Sequence, residues 1–340
     1  MKPSQMLDNV RGQPASLQCV ADHAFGEGAP ALRAAADAIR SAQRVVFTGM
    51  GSSMSAAIPA AYYLEAHGVP AEVVETSEWL HFGRARRHNE AVVLVTRSGE
   101  TVEIVKLLAH LEQSTAVTIG VTNVPESLVA RQADHNIHVS SWADRMVAVQ
   151  TYTGTMAALV LLAAAVVEES QEASRAAVDG AAKALSAAIQ EAEVQSEEWY
   201  EFLRGAEVVY LLARGPSLAS AREGALIFNE ASRLPSVGMS AALFRHGVVE
   251  IVDERFRGIV FASQKATREI DLALADDLRS MGGKVRVCEA RGVPPPFEPL
   301  IEIVPIQIAA SRLAEARGID PGDFRYATLV TASETGFGKA

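Results

Sequence analysis

Short apolar runs rich in β-branched side chains recur along the chain, and each gives way to small polar residues and then to a helical spacing. The clearest is Val92-Val93-Leu94-Val95. It breaks into Thr96-Arg97-Ser98-Gly99-Glu100-Thr101 and resumes with apolar positions at Val102, Val105, Leu108 and Leu111. A run of that length and branching predicts a buried strand, and the spacing after it predicts one face of a helix. The same reading places strands over residues 44–48, 71–74, 117–121 and 135–139. It places helices over 31–41, over an alanine-rich stretch ending at residue 66, and over the apolar stretch 155–167. Residues 1–30 read as a partly ordered arm, and 175–204 as one long, charge-flanked helix. Strands alternating with helices predict α/β layers built on parallel sheets.

The second half echoes the first. Val208-Val209-Tyr210-Leu211-Leu212 runs into Ala213-Arg214-Gly215-Pro216-Ser217, as Val45-Val46-Phe47 runs toward Gly51-Ser52-Ser53. Farther on, Thr267-Arg268-Glu269-Ile270 mirrors Thr101-Val102-Glu103-Ile104. Similar elements in the same order, about 165 residues apart, predict a tandem duplication. The expected organisation is an arm (1–30), a first domain (31–170), a connecting helix (171–204) and a second domain with a C-terminal segment (205–340).

Composition narrows the partners. A chain of 340 residues accommodates two domains. Its net charge of −10 argues against nucleic acid or an anionic membrane as the main partner. Cys19 and Cys288 fit no metal or redox spacing and suggest a reducing compartment. The N-terminus has no apolar core of signal-peptide type, and residues 159–167 are too few to span a bilayer. A cytoplasmic protein with neither metal nor cofactor is expected.

A strand that ends in small hydroxyls and glycine and opens into a helix makes an anion cradle, because loop amides and the helix dipole both favour negative charge. Capping alone would also place Ser and Thr there. Arg97 adds a guanidinium, which suits a phosphate. The turn Gly49-Met50-Gly51-Ser52-Ser53 is a second candidate cradle. It is only superficially a dinucleotide fingerprint, since Met54 stands where the third glycine would fall. The second copy of the first cradle reads Ser263-Gln264-Lys265-Ala266-Thr267. It lacks the glycine and most of the hydroxyls, so one phosphate site per chain is expected, in the first half.

These two turns at this spacing resemble the SIS (sugar isomerase) family. So do Arg214-Gly215, Glu223-Gly224-Ala225-Leu226, Glu230 and Arg245-His246-Gly247. Over roughly residues 30–335 the chain is similar to the isomerase portion of glucosamine-6-phosphate synthases. It is also similar to the related amino-sugar-6-phosphate deaminases and fructosamine-6-phosphate deglycases. The resemblance implies two flavodoxin-like α/β subdomains, each a parallel sheet flanked by helices. It implies phosphate binding by Ser53, Thr96, Arg97, Ser98 and Thr101, with Ser52 and Val147 nearer the sugar. It makes Glu230 the general base and His246 the ring-opening or proton-donating group, lent across a homodimer interface.

Beyond Thr96 and Arg97, which stand where the synthases usually have Ser and Gln, three positions depart from the synthase pattern. Ile227 stands where the synthases carry a lysine, Thr328 where they carry a second, and Leu243 where a glutamate precedes the histidine. The sequence also shows no counterpart of their glutamine-hydrolysing domain, so the chain is not expected to take ammonia from glutamine by itself. The resulting expectation is an enzyme that moves a proton between C1 and C2 of a ketose or amino-sugar 6-phosphate, of isomerase, deaminase or deglycase type. The alternative is a non-catalytic sugar-phosphate sensor.

Overall fold

The computed structural model describes residues 5–83, 89–112 and 114–336. Its contacts group the chain into two units. Among the described residues, the first-half unit takes those within 15–143, 150–179 and 324–336, and the second-half unit those within 5–14, 144–149 and 180–323. Residues 324–336, expected to go with the second domain, thus group by their contacts with the first-half unit. The ends of the expected arm and C-terminal segment, 1–4 and 337–340, lie outside the described residues.

The expected arm is mostly helix α1 (Gln5–Phe25). Met6, Val10, Leu17, Val20 and Ala21 form a buried helical stripe, but buried Gln13 and Ser16 interrupt it. Both are satisfied: Gln13 Nε2 donates to Gln307 Oε1 at 2.8 Å, and Ser16 Oγ accepts from the Trp142 amide at 2.9 Å. Polar groups at core positions concealed the apolar period.

The first-half unit continues through α2 (Ala29–Ser41), β1 (Arg44–Gly49), α3 (Ser52–Ala66), β2 (Ala71–Glu75) and α4 (Thr76–Phe82). Then come β3 (Glu90–Val95), α5 (Val102–Leu111), β4 (Val117–Thr122), α6 (Leu128–Gln132), β5 (His135–His138) and α7 (Gln150–Val166). The five strands are parallel in the order β2-β1-β3-β4-β5. All six residues of β3 are buried, as a central parallel strand covered on both faces requires. Its side chains Val92 and Leu94 pack on Ile104, Leu107 and Leu108 of α5.

The expected 175–204 helix is two helices, α8 (Gln171–Val194) and α9 (Ser196–Leu203), separated at Gln195 where the backbone turns to φ −84°, ψ 1°. No Pro or Gly stands there, so composition does not mark the break. The second-half sheet has the order β7-β6-β8-β9, again parallel, from β6 (Val209–Ala213), β7 (Ser236–Ser240), β8 (Arg257–Phe261) and β9 (Lys284–Cys288). Its helices are α10 (Leu218–Ile227), α11 (Ala241–Phe244), α12 (Arg268–Ser280), α13 (Glu298–Glu302) and α14 (Val304–Ala316). Each sheet thus reads 2-1-3-4 in its own numbering, the flavodoxin-like order, with a fifth strand added in the first half.

Candidate functional site

In the first-half sheet β1 and β3 are neighbours, with Gly49 beside Val95. The chain leaves β1 toward β2 on one side and leaves β3 toward β4 on the other. The loops after β1 and β3 therefore part at the sheet's carboxyl edge and open a crevice, the usual ligand position of such sheets. Each loop feeds a helix, α3 from Ser52 and α5 from Val102, so two helix N-termini meet that edge. Gly51 turns the first loop with φ +52°, a left-handed conformation that costs glycine little. Ser52 and Ser53 follow in the first turn of α3, both half-buried.

The second loop is held from several sides. Thr96 Oγ1 accepts from the Gly99 amide at 3.2 Å and lies 3.3 Å from Thr101 Oγ1. The Asn123 amide donates to the Arg97 carbonyl at 3.0 Å, and the Val129 amide to the Gly99 carbonyl at 3.2 Å. Glu100 Oε1 accepts from the Leu128 amide at 2.8 Å. Thr96 is only 2% exposed, so its hydroxyl shapes the turn. Ser98 is half-buried and its Oγ accepts from the Glu100 amide at 3.2 Å, which leaves its proton to donate to a ligand. The structure thus brings Ser52, Ser53, Thr96, Arg97, Ser98 and Thr101 to one edge of one sheet.

Sequence reasoning missed the C-terminal segment's part in this edge. Arg97 Nη2 donates to the Leu329 carbonyl at 2.7 Å, and the first amide of α5, Val102 N, donates to the Thr331 carbonyl at 3.0 Å. Glu334 pairs with Lys106 and, at 2.6 Å, with His81, and the hydrogen bonds from Lys106 first and His81 second hold its carboxyl below the usual range. Residues 324–336 carry no apolar period, so nothing in the pattern announced this docking.

The remaining candidates belong to the second-half unit. Val147 is buried there. Helix α10 does not stop at Ile227 but widens into a π turn, Phe228–Ser232, and half-buried Glu230 sits in it. Single π turns within helices occur often at functional sites. His246 is exposed after α11, its amide bonded to the Leu243 carbonyl at 3.0 Å. Ile227 is fully buried on α10. Thr328, assigned by contacts to the first-half unit, is exposed, with its hydroxyl on the Val330 carbonyl at 2.7 Å. Among the described residues no group of three or more His, Cys, Asp or Glu is placed to hold a metal ion. No described helix is long and apolar enough to cross a membrane.

A family model for the SIS domain matches residues 38–166 and 202–288, together more than half of the chain. The chain belongs to the SIS domain family. The two matched stretches of this SIS protein carry the two parallel sheets. A glutamine–fructose-6-phosphate aminotransferase (isomerizing) of Arabidopsis thaliana is 29% identical over 307 residues, 82% of this chain and 45% of that protein. The chain spans about half the length of the curated relatives it matches. Among solved structures, the C-terminal domain of a glucosamine-fructose-6-phosphate aminotransferase from Francisella tularensis superposes with a TM-score of 0.82. It is 20% identical, with 92% of this chain and 96% of that one covered. A glucosamine-6-phosphate deaminase from Thermotoga maritima gives 0.79 at 20% identity, with 96% and 99% covered. At that identity the likeness is one of fold.

Proposed function

We propose that this SIS protein binds a sugar 6-phosphate in the first-half crevice and moves a proton between C1 and C2 of a ketose or amino-sugar substrate. The observation that carries the reading is the pair of hydroxyl-bearing loops at the switch point of the first sheet, each opening a helix. The names of its relatives, an aminotransferase acting on fructose 6-phosphate and a glucosamine-6-phosphate deaminase, support the same substrate class. Ser53, Ser98, Thr101 and Arg97 hold the phosphate, while Thr96 fixes the turn and Ser52 lies nearer the sugar. Binding at the phosphate end supplies energy remote from the reacting carbons.

Glu230 is the base in this reading. Its half-buried carboxylate, set in the π turn, is the group type that removes a proton α to a carbonyl or iminium. His246, exposed after α11, assists ring opening in a homodimer in which it serves the second copy. With Ile227 and Thr328 in place of lysines, the protein offers no amine at either position. A substrate that brings its own nitrogen can still form an iminium, so deaminase or deglycase chemistry fits these residues better than synthase-type isomerisation. The same two positions are what favour the second reading, a sensor that binds without turnover.

The test is a panel of hexose, amino-sugar and fructosamine 6-phosphates, scored by calorimetry for binding and by product analysis for turnover. Turnover of a nitrogen-bearing 6-phosphate is expected. Equal affinity for a sugar and its 6-phosphate would overturn the phosphate site, and binding of 6-phosphates without turnover of any would leave the sensor.

A further inference from the structure

The second-half sheet has its own switch point, between β6 and β8, and its loops correspond residue by residue with those of the first half. Gly49 pairs with Val95 at the ends of β1 and β3, and Leu212 with Val260 one step before the ends of β6 and β8. The residue after each central strand bonds alike: the Thr96 amide reaches the Val121 carbonyl at 3.1 Å, and the Ala262 amide the Cys288 carbonyl at 3.0 Å. Counting forward, Gly215 corresponds to Gly51, Ser217 to Ser53, Gln264 to Ser98 and Thr267 to Thr101. Gly215 even repeats the left-handed turn, with φ +57° against +52°.

A carboxyl group already sits at this second switch point. Ser217 Oγ donates to Glu302 Oε1 at 2.7 Å, and Ser220 Oγ, in the first turn of α10, donates to Glu302 Oε2 at 2.6 Å. Ser263, from the loop after β8, is a third hydroxyl on the same carboxylate. Gln264 Nε2 donates to Ser217 Oγ at 3.0 Å and so aims the Ser217 proton at Glu302. Glu302 is 1% exposed. The nearby guanidinium of Arg214 is taken by Asp271, which also accepts from Thr267 Oγ1 at 2.8 Å. The counterparts of Ser53 and Ser98 therefore serve a buried carboxylate carried in on α13.

We propose that the second-half crevice is an anion site filled in cis by the Glu302 carboxylate, and that a small free carboxylate takes that place when the side chain is removed. This accounts for a single external phosphate site per chain more directly than loss of hydroxyls does, because the crevice keeps its donors and lacks only a vacancy. Burial pushes Glu302 up to about 7, with Glu298 adding to the shift and the three serine hydroxyls offsetting part of it. The other titratable groups around it are Glu298, on the same helix, and the buried thiol of Cys288 on β9.

The experiment measures thermal unfolding of the full chain with Glu302→Ala and Glu302→Gln, in formate or acetate against sodium chloride of equal ionic strength. Glu302→Ala should melt lower than wild type and regain several degrees with a saturating dependence on formate. Wild type and Glu302→Gln should not move. Absence of a saturable rise in Glu302→Ala, or an equal rise in wild type, would overturn the proposal. Should Glu302→Ala fail to fold, Ser217→Ala reads the same cage with the carboxylate in place. Its loss of melting temperature should be larger at pH 8.5, where Glu302 is ionised, than at pH 5. A loss equal at both would overturn the proposal.

Discussion

Replacing Gly99 with alanine perturbs the first-half cradle through its backbone and its packing together. Gly99 has φ +68°, where a Cβ meets its own peptide group at a cost of about 1–2 kcal/mol. The added Cβ would also stand 2.0 Å from Ser127 Oγ and 2.4 Å from Ser127 Cβ. Ser127 cannot retreat freely, being 2% exposed and capping α6 through a 3.4 Å bond from the Ala130 amide. Forcing atoms into a packed site costs a further 1–3 kcal/mol or so. Gly99→Ala should therefore lose about 2–5 kcal/mol of unfolding free energy in urea. The double variant with Ser127→Gly removes both clashing atoms and sacrifices only a few tenths of a kcal/mol in capping. It should recover the packing part and retain the backbone part, a residual loss of about 1–2 kcal/mol. Gly99→Ala as stable as wild type, or a double variant no better than the single, would refute the loop geometry on which the cradle rests.

Three further outcomes follow from the same geometry. Ser98→Ala should weaken a sugar 6-phosphate by roughly 1.5–3 kcal/mol in calorimetry, the range for a hydrogen bond to a charged group, and leave the unphosphorylated sugar unaffected. The Glu302 carboxyl, lifted from 4.5 to about 7 mainly by burial, contributes stability that is complete below pH 4.5 and is lost as pH rises through 7. That loss is about 3 kcal/mol, so urea titrations at pH 5 and pH 8.5 should differ by that much more in wild type than in Glu302→Gln. Borohydride reduction with a ketose phosphate should trap no imine on the protein, and a mass shift at Lys265, in the loop after β8, would contradict this.

The parts legible in the sequence were those where one period ran unbroken. Val92 to Leu111 shows a fully apolar strand, a turn of small residues and an amphipathic helix, and each appears where the pattern puts it. The α/β class followed from the alternation of elements, whereas the strand order 2-1-3-4 came only with the structure. Legibility stopped where a polar residue does core work or where partners are far apart in the chain. Gln13 and Ser16 hid α1 because their hydrogen bonds replace apolar contact. Glu302 lies 85 residues from Ser217, and no local signal links a glutamate in an apolar stretch to a serine in a distant turn. The docking of residues 324–336 uses backbone carbonyls at Leu329 and Thr331, which any sequence would supply, and the Glu334 carboxylate, whose partners Lys106 and His81 lie far away in the chain. The widening of α10 at Glu230 is a backbone event within an ordinary helical pattern.

In the proposed reaction Glu230 moves a proton at C1 or C2 of a sugar 6-phosphate. This step is tested most directly by proton NMR of fructose 6-phosphate and glucosamine 6-phosphate incubated with the protein in deuterium oxide. Exchange at the reacting carbon needs no amine donor and no net turnover, so the missing lysines do not prejudge it. Wild type should wash deuterium into C1 or C2 of at least one of these substrates. Glu230→Gln, which keeps the shape and loses the basicity, should slow the exchange by about 10²–10⁴-fold with binding retained. Binding of both sugar phosphates without exchange in wild type, or exchange undiminished in Glu230→Gln, would contradict it.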